Sequence, residues 1–306
     1  MFTRLKSWFY KSPTAPPPGE ADEFARLNLL KAEGRAPRGT DFSRAQIFLR
    51  RRQTQGAVEA LKEELRYHPD HSEAAALLAE LLAQPVSIPD DAEPEFRELF
   101  AQIRTFTMVG PKRLLSLYRL ARETCERDLP GNFVECGVAA GGSSALLGAV
   151  IARHSKRPRT VFSCDTFEGM PAATAEDTTR GVGAEASGWG RGTCAAPVDS
   201  LREICTRLGV SEIIQPLIGL FADTLPVHRE RVGEIAFLHL DGDWYSSTRD
   251  ILINLYDQTA PGARMQIDDF GCWDGCRRAI EEFETERGIK FILHKIDETG
   301  VWTTKP

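Results

Sequence analysis

The chain has 306 residues, 42% hydrophobic and 27% charged, an ordinary soluble composition with room for one large domain and a small one. A formal net charge of −6 argues against the basic face of a nucleic-acid binder. No apolar run approaches the roughly 20 residues that span a bilayer. Seven cysteines, an odd number without a Cys-x-x-Cys pair, fit a reducing, cytoplasmic compartment.

Met1–Tyr10 carries Arg4, Lys6, Trp8 and Phe9 but no continuous apolar core, so it reads as a frayed terminus rather than a signal peptide. A weak amphipathic membrane contact is the alternative. Residues 11–20 form a proline-rich linker, and residues 1–39 as a whole are expected to be flexible. From Thr40 to Ala83 the pattern is helical. Ala45, Phe48, Ala57, Leu61 and Pro69 fall at the spacings of one tetratricopeptide repeat, and Ala75, Leu78, Ala79 and Leu82 give a second, incomplete copy. Residues 40–90 therefore read as a helical hairpin region. It either docks a protein partner or covers or dimerises the main domain; stable arrays need about three repeats, which favours the second reading. Pro85–Pro94 breaks the helix and marks the boundary to a domain over 95–306.

That domain alternates helix and strand, as a doubly wound α/β sheet does. Pro111–Arg127 is expected to be a helix with Leu114, Leu115, Tyr118 and Ala121 on one face. Parallel strands are expected at 132–136, 160–164, 213–217, 235–240 and 263–267, then a helix Trp273–Glu286 and a hairpin of Lys290–Lys295 with Gly300–Thr304. The first strand ends in Glu135 and enters the glycine-rich turn Gly137, Gly141, Gly142, then a helix; this spacing is not the dinucleotide fingerprint. Glycines admit a ligand close to the backbone, and a helix N-terminus favours negative charge. The second strand ends in Asp165, placed to hydrogen-bond a ribose diol. Residues 172–196 break the alternation; a loop this long is usually functional, and its position suits a lid over an acceptor.

The densest signal is Leu238-His239-Leu240-Asp241-Gly242-Asp243, followed by Gln266-Ile267-Asp268-Asp269. The helix Ser246–Asp257 and the turn Pro261-Gly262 join two strands that must then be parallel, which puts four carboxylates at one sheet edge. Like charges so crowded need protons or a cation, and an all-oxygen set points to magnesium, manganese or calcium. Helix capping is the plainer alternative. His239 reads as a satisfied strand histidine, with a ligand role as the alternative. Cys272 and Cys276, four apart, read as structural, since no histidines accompany them.

These stretches, with Phe106-Thr107-Met108-Val109, Asp165-Thr166-Phe167-Glu168-Gly169-Met170-Pro171, Asp223-Thr224-Leu225-Pro226 and Trp244-Tyr245-Ser246-Ser247-Thr248, resemble the macrocin O-methyltransferase family from about residue 100 onward. That family comprises metal-dependent S-adenosylmethionine enzymes that methylate sugar hydroxyls. The resemblance implies a seven-stranded, Rossmann-like methyltransferase sheet behind a small helical domain. It departs from the family at Phe270, where Tyr is common, and at Cys272, often His. For the donor it implies Gly137 at the methionine part, Ser143 at its carboxylate, Glu135 at its amino group or ordering the turn, Asp165 with Thr166 at the ribose and Phe221 on adenine, where core packing is the alternative. It implies magnesium or manganese on Asp241, Asp268 and Asp269. Asp243 is the general base, with a fourth ligand, or a residue that supports the ligands from behind, as its alternative; activating an alcohol asks for that division of labour. Trp244 and Tyr245 flank a sugar or cover the donor. The acceptor is a small molecule or glycan, and oligomers or partners would meet the N-terminal helices. Two other readings compete. A nucleotide-sugar enzyme would bind diphosphate at the glycine turn, where Glu135 would repel it, and a decayed scaffold would not keep four aspartates.

Overall fold

The computed structural model describes residues 19–32, 36–51 and 53–306. The terminus and most of the proline-rich linker lie outside the described residues. The chain divides into two compact units. One takes the described residues up to Val86 with Gly169–Ala173 and Gly181–Ala195; the other takes Ser87–Glu168, Thr174–Arg180 and Ala196–Pro306.

In chain order, α1 (Glu20–Ala32), α2 (Thr40–Arg50), α3 (Thr54–Tyr67) and α4 (Ser72–Ala83) come first. Next are α5 (Pro94–Ile103), α6 (Pro111–Glu126), β1 (Asn132–Cys136), α7 (Gly142–His154) and β2 (Val161–Asp165). The following segment carries the two-residue strands β3 (Thr178–Thr179) and β4 (Val182–Gly183) and a single turn, α8 (Ala184–Ser187). Then come α9 (Val198–Arg207), β5 (Ile214–Ile218), α10 (Phe221–Val232), β6 (Ile235–Leu240), α11 (Tyr245–Leu255), β7 (Thr259–Ile267), α12 (Asp274–Arg287), β8 (His294–Lys295) and β9 (Val301–Thr304).

The helical unit has its own core. Ala45, Phe48, Ala57 and Leu61, read from sequence as one repeat, are buried with Phe24 and Leu27 of α1. The flexible reading of 1–39 therefore fails over α1: Phe24 is fully buried and meets Phe48 edge-on at 4.9 Å. Of the second copy read in α4, Leu78 and Leu82 pack against this core, but the two alanines do not. Ala75 and Ala79 are exposed, whereas Ala74 and Leu81 are buried. A helix of small residues shows little amphipathic contrast, so its periodicity does not fix its buried side.

The second unit is a seven-stranded sheet of order β5-β2-β1-β6-β7-β9-β8. Its first five strands are parallel, β9 runs antiparallel to β7, and β8 antiparallel to β9. α5, α6, α7 and α9 pack together as one helical group, and α10, α11 and α12 as another. This is the doubly wound arrangement, with strand order reversing between β1 and β6. One expectation needs correction. Pro261-Gly262 is not a turn before β7 but lies inside it, where the β6 pairing slips between Ile235 and Phe237. Gly262 has φ +82° and donates to the Lys305 carbonyl, so the pair forms a bulge, which strands tolerate where a ladder bond is missing.

Candidate active site

Register builds the site. Cys136 pairs with Leu240, and Leu240 with Ile267, so Gly137, Asp241 and Asp268 follow the ends of three adjacent parallel strands. Asp241 donates its amide to the Cys136 carbonyl and Asp268 to that of Leu240, which extends the ladders one residue into the loops. Gly137 has φ +98°, and a Cβ there would collide with the Asp241 carbonyl. No other residue fits a left-handed turn so closely applied to the next strand.

On the donor side, Asp165 organises the glycine turn. Its Oδ2 accepts the amides of Val138 (2.7 Å) and Ala139 (2.9 Å), and its Oδ1 that of Phe167 (2.8 Å). A ribose would therefore share a carboxylate already tied to backbone. Thr166 Oγ1 lies 3.4 Å from Asp165 Oδ1 and accepts the Glu168 amide. Ser143 is buried in the first turn of α7. Phe221 is half-buried; a Cβ on Gly242 would sit 3.4 Å from its ring, which places it beside the carboxylate loop. Glu135 differs from the amino-group reading. It is fully buried, with Oε1 3.0 Å from His239 Nδ1 and Oε2 accepting a short bond from Ser144. Both oxygens serve the turn and the sheet, the second of its two sequence readings.

On the acid side, the ligand atoms of Asp241, Asp243 and Asp269 lie within 4.8 Å of one another, as do those of His239, Asp241 and Asp268. Burial raises the Asp241, Asp243 and Asp269 carboxyls above their ordinary range, and for Asp241 the neighbouring Asp269 and Asp243 add to it. Asp268 Oδ1, Asp269 Oδ2 and His239 Nε2 are buried without a hydrogen-bond partner. His239 is thus not the satisfied strand histidine of the sequence reading. One ring nitrogen, Nδ1, is 3.0 Å from Glu135 Oε1, and the other, Nε2, lies 3.7 Å from Asp268 Oδ1. A carboxylate oxygen beside a ring nitrogen is satisfied by a proton or a cation shared between them. The donor atoms thus fit a divalent ion, mostly through hard oxygen. The Cys272 thiol is pushed up by burial and then by Asp269.

Sequence reasoning does not find Arg113, Asp177 or Trp273. Arg113, on α6, is buried, ion-paired with Asp268 and 3.2 Å from Asp297. Trp273 Nε1 donates to Asp243 Oδ1 at 3.0 Å. Asp177 accepts the Tyr245 amide at 2.7 Å, at the start of α11. Only folding brings Arg113 and Asp177 to the aspartates, so no local spacing marks them. Trp244 does not flank a sugar: it is buried edge-on to Trp273 at 4.8 Å. Tyr245 gives its hydroxyl to Glu282. Asp243 holds φ +56°, a left-handed conformation unusual for a non-glycine residue and commonest at functional sites.

The family described as macrocin-O-methyltransferase (TylF) matches residues 83–305. The chain is 37% identical over 205 residues to the 8-demethyl-8-(2,3-dimethoxy-alpha-L-rhamnosyl)-tetracenomycin-C 4'-O-methyltransferase of Streptomyces olivaceus, covering 64% of this chain and 74% of that protein. It is 32% identical over 197 residues to the demethyldecarbamoylnovobiocin O-methyltransferase of Streptomyces niveus, with the same coverages. Among solved structures, the O-methyltransferase NovP superposes with a TM-score of 0.59 at 31% identity, over 65% of this chain and 82% of that one. No helix among the described residues is long and apolar enough to cross a membrane.

Proposed function

The chain belongs to the macrocin-O-methyltransferase family and is an S-adenosylmethionine-dependent O-methyltransferase, and from that premise we propose its acceptor, its metal and its base. The acceptor is a hydroxyl of a sugar or glycosylated small molecule, as the rhamnosyl substrate in the name of the Streptomyces olivaceus relative suggests. Asp241, Asp268 and Asp269 hold magnesium or manganese, and Asp243 is the general base. The observation that carries this reading is the set of mutually repelling carboxylates at the carboxyl ends of β6 and β7, half-buried at Asp241 and Asp243 and buried with an unpartnered oxygen each at Asp268 and Asp269. A divalent ion there supplies the positive charge that lowers a hydroxyl's pKa and orients a diol.

The remaining work falls to the chain. The glycine turn and Asp165 hold the donor, with Ser143, Thr166 and Phe221 beside it. Trp273 fixes Asp243 through Oδ1, leaving Oδ2 to accept the hydroxyl proton. As the acceptor oxygen attacks the methyl carbon, its C–O bond forms while the C–S bond breaks. The products are a methyl ether and S-adenosylhomocysteine. Seven free cysteines support a cytoplasmic setting.

The test is methyl transfer from isotopically labelled donor to a panel of deoxysugar glycosides, headed by methyl α-L-rhamnoside and the rhamnosylated tetracenomycin, with and without magnesium. Magnesium-dependent label on a sugar oxygen is the expected outcome. Donor binding without transfer to any sugar would overturn the acceptor class, and equal transfer in chelator would overturn the metal.

A further inference from the structure

The segment between β2 and α9 is held from two sides, each within its own unit. In the catalytic unit, Asp177 accepts the Tyr245 amide, and Thr178 Oγ1 donates to Asp274 at 2.7 Å, so residues 177–178 are tied to the starts of α11 and α12. In the helical unit, Gly181–Ala195 packs with α1, α2 and α3. Trp189 lies 5.0 Å from the Phe48 ring and packs against that unit's core.

The main contact is polar. A helix leaves its last carbonyls without intrahelical partners. Four successive carbonyls at the end of α8 receive side chains from the helical unit. Asn28 Nδ2 donates to Glu185 (3.3 Å), Arg51 Nη1 to Ala186 (3.3 Å) and Ser187 (3.0 Å), and Arg44 Nη2 to Gly188 (3.2 Å). Cations suit the negative end of a helical turn. Farther on, Arg66 Nη2 donates to the Ala195 carbonyl at 3.1 Å. Arg44 is itself fixed by Asp41 (2.6 Å) and Asn28 (2.9 Å), so the donors are rigidly presented. The helices α1–α4 end where the family match begins, at residue 83, whereas Gly181–Ala195 lies inside it. A part of the chain outside the matched range thus holds a segment within it.

We propose that the N-terminal helices are a positioning module for Gly181–Ala195, and that Asn28, Arg44 and Arg51 are positioning residues for acceptor binding, acting through the carbonyls of α8. This rests on the sugar O-methyltransferase reading. None of the residues assigned above to the donor or to the aspartate cluster lies among the described residues of the helical unit. What it fixes is the shape of a segment only three residues along the chain from Thr178. Its influence belongs on the affinity for the acceptor, not for the donor and not on the chemical step.

Three full-length variants test the junction, two from the helices and one from the insert. Arg51→Met removes the guanidinium but keeps the chain length, and Arg51→Lys keeps the charge. Gly188→Ala acts from the insert: Gly188 has φ +107°, and a Cβ would come within 2.7 Å of the Phe24 ring. Hydrogen exchange should rise by about tenfold or more over 181–195 while the sheet is unchanged. The calorimetric affinity for S-adenosylhomocysteine should hold within about twofold, and KM for rhamnosylated tetracenomycin should rise at least about fivefold with kcat held, the signature of lost uniform binding. Arg51→Lys should restore part of it. Unchanged exchange over 181–195 would overturn the proposal, as would faster exchange with unchanged acceptor KM. Loss of donor affinity or of kcat would reduce the junction to general stability and also overturn it. A wild-type protein that methylates no sugar sinks the functional reading instead, and the exchange result stands apart from it.

Discussion

Both units bury clusters of charge, and the two clusters obey different sums. In the helical unit Lys31 lies 3.1 Å from Asp41 and is paired with Glu63, and Arg44 lies 2.6 Å from Asp41. Lys31 and Arg44, both nearly buried, and the more exposed Arg66, 3.5 Å from Glu63, face two buried carboxylates, and every charge has an opposite neighbour. In the catalytic unit Asp241, Asp243, Asp268 and Asp269 face one another and Arg113. The first cluster is closed in charge, an opposite partner beside every member, although burial holds the Lys31 ammonium below its ordinary range. The second is open: it keeps unpartnered oxygens and raised carboxyls, at a cost to the fold that protons or a bound cation relieve. Closed charge marks structure, and open charge marks chemistry.

The largest effect should come from emptying the open cluster. Chelation, or Asp241→Ala, should take turnover to background while the helical unit keeps its exchange protection. Full turnover in chelator would show that Arg113 and protons already satisfy the carboxylates. Asp243→Asn separates base from ligand. Metal and donor should still bind, and single-turnover rates should drop by ~10²–10⁴. Higher pH should recover part of the rate, since hydroxide can take the proton. Magnesium titration decides the matter: lost metal affinity would make Asp243 a ligand, a role compatible with its place beside Asp241 and Asp269.

The closed cluster gives the matching measurement in stability. Arg44→Met leaves Asp41 and the Gly188 carbonyl short of a donor, and should destabilise the protein by about 3–5 kcal/mol in denaturant unfolding. A loss below about 1 kcal/mol would place the cluster among ordinary surface pairs. Asp165→Ala should weaken donor binding by roughly 1.5–3 kcal/mol for each charge-assisted bond lost, measured by calorimetry on the folded variant. Here the ribose bonds and the turn's own amides fail together.

Legibility from sequence follows the same division. The parallel core was readable because each strand is a short apolar run ending in Gly or Asp, and β6 and β7 end in carboxylates that the βαβ rule forces onto one edge. The bulge at Pro261-Gly262 was not, because the same dipeptide is the commonest turn signal. Glu135 and His239 were visible as residues but not as a pair; they are neighbours in the β1–β6 register, 104 positions apart in the chain. Arg113 sits on a helix whose apolar face explains itself, so nothing local marks its guanidinium. The segment 172–196 read as one loop because its packing partners lie more than a hundred residues earlier, at Asn28, Arg44 and Arg51.

The smallest effect tests the open cluster without touching a residue. Burial lifts the carboxyls of Asp241, Asp243 and Asp269, and for Asp241 the adjacent carboxylates lift it further. A carboxyl whose folded pKa exceeds its unfolded value holds its proton more tightly when folded. Between the two values the folded state carries more protons than the unfolded one, so stability falls as pH rises. The metal-free protein should therefore lose melting temperature from about pH 4 upward through the raised range. Glu123, held below its ordinary range by Arg264, has the opposite sign. Its contribution is complete above the ordinary carboxylate value and is lost only as pH falls through its depressed one, so it adds no slope near neutrality. Saturating magnesium selects the ionised carboxylates and releases their protons. The stabilisation by magnesium should therefore grow with pH, and Asp241→Asn should flatten the metal-free profile. Parallel melting profiles with and without magnesium would mean that the carboxylates are solvated and ordinary, and the contrast between the two clusters would disappear.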